Sequence, residues 1–163
     1  MTGVLGRISA LANRGTEWVL APLVMFFTAL MLTAVFTRYV LDVSMVNATE
    51  LTRIAFCWAV FLGAAAATHG LQHVRVTFLA DLLPPRGQAV LMGLVHLAAL
   101  GFGMVMLVEG WGVAERMAMT FLPTTGWSQA WIYGAVPVSG ALIVLHAAAA
   151  AQASFNGMRH GTP

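Results

Sequence analysis

The run IAFCWAVFLGAAAATHGLQHV, Ile54 to Val74, lies between Arg53 and Arg75 and holds no acidic or basic residue apart from His69 and His73. A helix of about 20 apolar residues is long enough to cross the hydrocarbon core of a bilayer. Three further stretches match it in length and apolarity: Trp18 to Val40, Pro85 to Val108 and Ser128 to Ala151. The spacing predicts an all-α membrane protein of four transmembrane helices, with spans over 18–40, 48–72, 85–108 and 128–151 in one domain, 1–163. Together the spans take up most of the chain, which leaves no room for a soluble catalytic domain and predicts no enzyme.

Composition agrees. Of the 163 residues 60% are hydrophobic and only 9% are charged, against roughly 25% charged in a soluble domain. All eight basic residues are arginine, standing singly at the ends of apolar runs. There they set orientation and reach toward head groups, and they do not form a nucleic-acid patch. A single cysteine, Cys57, excludes an internal disulfide and reads as a small buried residue. Arg7 and Arg14 ahead of an apolar run imitate a signal peptide. That run is longer than the roughly 7–15 residues of such a segment, and no small-x-small cleavage pattern follows it, so an uncleaved anchor is expected.

Prolines and arginines order the spans. Pro22 falls in the first turn of span one, where a missing N–H costs little. Pro84-Pro85 marks the start of span three. Pro137 is expected to kink span four by removing a backbone bond to Tyr133. With the N-terminus inside, one side holds Arg7, Arg14, Arg75, Arg86 and Arg159, and the other only Arg38, Arg53 and Arg116. This bias puts both termini in the cytoplasm, with Trp127 and Trp131 at the outer interface. Small residues are expected where helices touch: Gly63 and Ala67 in span two, and Gly140 and Ala147 to Ala151 in span four.

Candidate polar sites are few. Asn47 and Glu50 have capping-box spacing, with Asn47 as the helix cap; a charge pairing of Glu50 with Arg38, Arg53 or a partner chain is the alternative. His69, His73 and Arg75 close span two as polar residues at a helix end. His96 and His146 are intramembrane, fall at matching depth on antiparallel spans, and are expected to bond between helices. As a pair they could also ligate a haem, which keeps a haem-b-binding anchor of a respiratory complex as the rival function. Glu109, Glu115 and Arg116 read as a solvated face near the outer loop. No metal site, phosphate loop or nucleophile triad is present, and without a mid-membrane charge the chain has no ion path of its own.

Several of these residues recur in order. Arg38-Tyr39 ends span one, Glu50-Leu51 opens span two, and Phe61 to Ala64 reads Phe-Leu-Gly-Ala. Then come His73, Arg75 and Val76, Leu83-Pro84, Trp131-Ile132-Tyr133, and Pro137 with Gly140. The ordered set resembles the small membrane subunit, DctQ type, of tripartite ATP-independent periplasmic (TRAP) transporters, over about three-quarters of the chain. One departure stands out: the family commonly has an acidic residue after the His-x-Arg-Val run, where this chain has Thr77, with Asp81 one turn later.

The resemblance implies a sodium-driven uptake system for an organic acid in the bacterial inner membrane. Its partners would be a large membrane subunit carrying the solute and sodium sites and a periplasmic substrate-binding protein, together with membrane lipids. This chain would scaffold the large subunit and help dock the binding protein, without a cofactor. Arg38, Glu50, Arg53, His73 and Arg75 would be its structural or inter-subunit polar residues.

Overall fold

The computed structural model describes residues 4–70 and 85–159. Four long helices dominate: α1, Val4–Val40; α2, Val46–Gly70; α3, Pro85–Arg116; and α5, Ala135–Arg159, preceded by the single turn α4, Ala130–Tyr133. Among the described residues, four helical stretches are long and apolar enough to cross a membrane.

The central helix is α5, which packs against α1, α2 and α3. The α1 helix also packs against α2, whereas α2 and α3 flank α5 without touching each other. Pairs of side chains fix the directions. Phe27 meets Phe56 edge to face at 5.9 Å, so α1 and α2 run antiparallel. Trp58 Nε1 donates to the Trp131 carbonyl at 2.7 Å near one end, and the His69 and His146 rings lie 5.1 Å apart near the other, so α2 runs parallel to α5.

Small residues set the closest approaches, because apolar burial gives little drive between helices in lipid. Along α2 the buried face is Ala48, Ala55, Ala59, Leu62 and Ala65. Gly63 sits at its margin, where an added Cβ would make ordinary contact with Leu20, and Ala67 is exposed. The seam within this chain therefore runs beside Ala67, through Leu62 and Ala65. The α3–α5 crossing is tighter. A Cβ on Gly140 would lie 2.7 Å from the Leu107 nitrogen and 2.9 Å from the Gly103 carbonyl oxygen. On α3, Gly103 faces Ile143 and Val144, and Gly110 faces Val136 and Pro137, each with a gap that a Cβ would close to 3.0 Å or less.

Three helix limits differ from the expected spans. The first helix begins at Val4 instead of Trp18 and is 37 residues long, or about 55 Å. Ser9, Asn13 and Thr16 recur at helical spacing and are buried, so this polar stretch is held by packing. The third helix runs on to Arg116, because no proline or run of turn residues interrupts it after Val108. Glu109, Glu115 and Arg116 are therefore helical and do not belong to the loop. Span four is broken at Gly134, and Pro137 is the third residue of α5, a position in the first turn that needs no backbone donor.

Candidate functional site

One end of the helices is organised around Glu50, in the first turns of α2. The carboxylate is buried and accepts three hydrogen bonds from the segment that joins α3 to α4. The Thr124 amide donates to Oε1 at 3.0 Å, and the Thr125 amide and hydroxyl donate to Oε2 at 2.8 and 2.7 Å. Bonds to an ionised acceptor are roughly twice as strong as neutral ones. The sequence explains why the loop can present its amides: Pro123-Thr124-Thr125-Gly126 forms a tight turn, and Gly126 takes φ +70°, which suits glycine. The Leu122 amide donates to the Trp127 carbonyl at 2.7 Å and closes the turn, and the fully buried Leu122 side chain anchors it.

This geometry corrects two expectations. The Met45 carbonyl already accepts from Ala48, and the helix starts at Val46, so Asn47 lies inside the first turn, exposed, and is not the cap. Glu50 is then no longer at the third helical position of a capping box, and its oxygens turn to the loop amides. Arg38 lies in the last turn of α1 and Arg53 in the second turn of α2; both are exposed, and neither forms an ion pair with Glu50. Since loop donors satisfy the carboxylate, the Arg53 charge is free to face outward. It lines a cavity of about 410 Å³ with Ser44, Thr49, Glu50, Pro123 and Thr124. Its lining combines hydroxyls, the Glu50 carboxylate already bonded to the loop, and one guanidinium, that of Arg53.

The opposite end carries a buried polar cluster. Ser9 Oγ and His146 Nδ1 share a hydrogen bond of 2.7 Å, and the His69 ring stands edge to face against His146. The His146 side chain is fully buried. Each histidine of the expected haem pair is engaged elsewhere: His146 with α1 and α2, and His96 Nδ1 with the Met92 carbonyl of its own helix at 2.6 Å. The pair that forms is His69–His146. The missed partner was Ser9, and the signal for it was the spacing of Ser9, Asn13 and Thr16 on one helix face. Among the described residues no group of three or more His, Cys, Asp or Glu is placed to hold a metal. His73 and Arg75, with Thr77 and Asp81, lie outside the described residues.

Comparison with known proteins follows the same lines. The family model for the DctQ component of tripartite ATP-independent periplasmic transporters matches residues 27–156, from mid-α1 almost to the end of α5. The chain belongs to the DctQ family of TRAP transporter subunits. It is 29% identical, over 140 residues, to the sialic acid TRAP transporter small permease protein SiaQ of Vibrio cholerae, covering 86% of this chain and 81% of that one. It is also 29% identical, over 131 residues, to a Haemophilus influenzae protein assigned as a TRAP transporter small permease, covering 80% of this chain and 81% of that one. This DctQ chain is therefore a small permease subunit of the inner membrane, a transporter component and not an enzyme. Its family implies association with a large permease and a periplasmic binding protein.

Proposed function

We propose that this DctQ subunit scaffolds the large permease and offers the Glu50 end of its helices as part of the docking surface for the periplasmic binding protein. The observation that carries this is the Glu50 clamp. It fixes the 120–129 loop against α2 and leaves the Arg53 guanidinium exposed on the adjoining cavity. A rigid surface with an unspent cation suits a partner that docks and leaves many times, because little is lost to ordering at each encounter and charge steers the approach.

Orientation supports this placement. The arginine bias puts both termini in the cytoplasm, so Glu50, Arg53 and the clamped loop face the periplasm. Arg38 lies at the same end, and His73 and Arg75 follow α2 at the cytoplasmic end, where they anchor to head groups or to the large subunit. The whole chain, 1–163, acts as one membrane domain. Uptake is driven by sodium, and the solute is an organic acid; SiaQ, named for a sialic acid transporter, supports that solute class. Solute and sodium sites lie in the large subunit, consistent with helices here that meet through alanine and glycine.

The test is copurification followed by reconstitution. A mild-detergent pull-down of this chain recovers a stoichiometric large permease, and proteoliposomes with both subunits take up solute only with the binding protein and an inward sodium gradient. Recovery of a respiratory dehydrogenase, or uptake by the large subunit without this chain, contradicts the proposal.

A further inference from the structure

Because α2 and α3 flank α5 without meeting, a groove opens between them, with α4 and the start of α5 as its floor. The groove encloses about 510 Å³ and is lined by Trp58, Trp111, Glu115, Trp131, Pro137 and Val138, among others. We propose that it is a binding site for the ammonium head group of a zwitterionic phospholipid, held by indole faces and the Glu115 carboxylate.

The lining is chemically lopsided. Three indoles and small apolar groups surround one ionisable side chain, Glu115. Two of the indoles are held to the floor: the Trp58 N–H is spent on the Trp131 carbonyl, and Trp131 packs on Trp127 with centroids 6.4 Å apart. Trp111 and Trp131 are largely exposed, so their faces are open to a ligand. An indole face attracts a cation within about 6 Å of its centroid, and aromatic cages are a recurrent way of holding ammonium groups.

Local charge points the same way. Glu115 is next to the last residue of α3, where the helix end is itself partly negative. A carboxylate there is unfavourable unless a cation joins it. The neighbouring Arg116 does not supply that cation. Its guanidinium folds back along its own helix, with both terminal nitrogens 3.9 Å from the Cβ position of Gly112, and it forms no ion pair with Glu115. Trp111, in the last two turns of α3, and Trp127 and Trp131, in the loop that follows and the short α4, lie near helix ends, where the aromatic belt of a membrane–water interface stands. A lipid head group sits at that depth, and its acyl chains would continue down the open cleft between α2 and α3.

The experiment uses the full chain in nanodiscs of equal phosphatidylethanolamine and phosphatidylglycerol, with either lipid brominated in turn. Tryptophan quenching reports the lipid in the groove. We expect brominated phosphatidylethanolamine to quench more than brominated phosphatidylglycerol, with an enrichment of about fivefold, the scale of a cation–π contact plus one charge pair. Glu115→Gln, an exposed substitution that the fold tolerates, abolishes the preference, and Trp111→Leu weakens it. Equal quenching by the two lipids, or a preference unchanged in Glu115→Gln, overturns the proposal. Carbodiimide coupling of Glu115 to a lysine of a copurifying protein in native membranes also overturns it, because a protein cation would then fill the groove.

Discussion

Ser9 and His146 are 137 residues apart in the chain, and their side chains meet at 2.7 Å inside the fold. This bond ties the start of α1 to the middle of the central helix, with His69 of α2 against the same ring. Three helices are thereby fixed at one end through polar groups, and the Glu50 clamp fixes α2 to the α3–α4 loop at the other.

Ser9→Ala is expected to lower stability by about 1 kcal/mol, the usual scale of a hydrogen bond between membrane helices. A double-mutant cycle with His146→Phe, read by denaturation in mild detergent, isolates the pair. Strictly additive losses would show that the contact contributes nothing.

Ser139 offers the opposite case. Its hydroxyl is fully buried in α5 and has no hydrogen-bond partner among the described residues. Removing an unsatisfied polar group releases its desolvation cost. Ser139→Ala should leave the melting temperature unchanged or raise it. A clear fall would reveal a partner for the hydroxyl.

The α3–α5 crossing should be sensitive to a single methyl group. Gly140→Ala drives a Cβ into the backbone of α3 at 2.7 Å, which α3 cannot relieve by a rotamer change. Overpacking of this kind costs about 1–3 kcal/mol. Gly93→Ala and Gly101→Ala on α3 meet nothing within 4 Å and serve as neutral controls. Equal melting temperatures for all three variants would show that the crossing is looser than described.

Glu50→Ala removes the acceptor of three loop bonds at once. The 120–129 loop should then become protease-sensitive, with cleavage near Thr124 and Thr125, while the helices remain folded. Glu50→Gln should behave similarly, since an amide nitrogen would face the amide donors of the loop. Unaltered protection in both variants would remove the clamp from the account.

The four spans were legible from hydropathy alone, because a membrane helix must satisfy its backbone internally and so carries a long apolar run. Residues 4–17 were not, since Arg7, Arg14 and Glu17 give them the look of a tail. Only the recurrence of Ser9, Asn13 and Thr16 hinted at a buried face. Glu50 was picked out, but its role was not. Capping is decided within one turn of helix, whereas the partners that claim this carboxylate lie 74 and 75 residues away, beyond what local spacing can predict. The glycines of α3 went unremarked because a glycine in an apolar run has no signature until the facing helix is known; Gly103 and Gly110 then prove to match Ile143 and Pro137.

Docking at the Arg53 surface is tested most directly by titrating the binding protein against proteoliposomes that hold the complete transporter. With Arg53→Glu in this chain, the concentration of binding protein needed for half-maximal uptake should rise about tenfold, the scale of replacing an attraction by a repulsion at an interface. The maximal rate should hold on the proposed placement of the solute and sodium sites in the large subunit. An unchanged half-maximal concentration, or a loss confined to the maximal rate, would contradict the account.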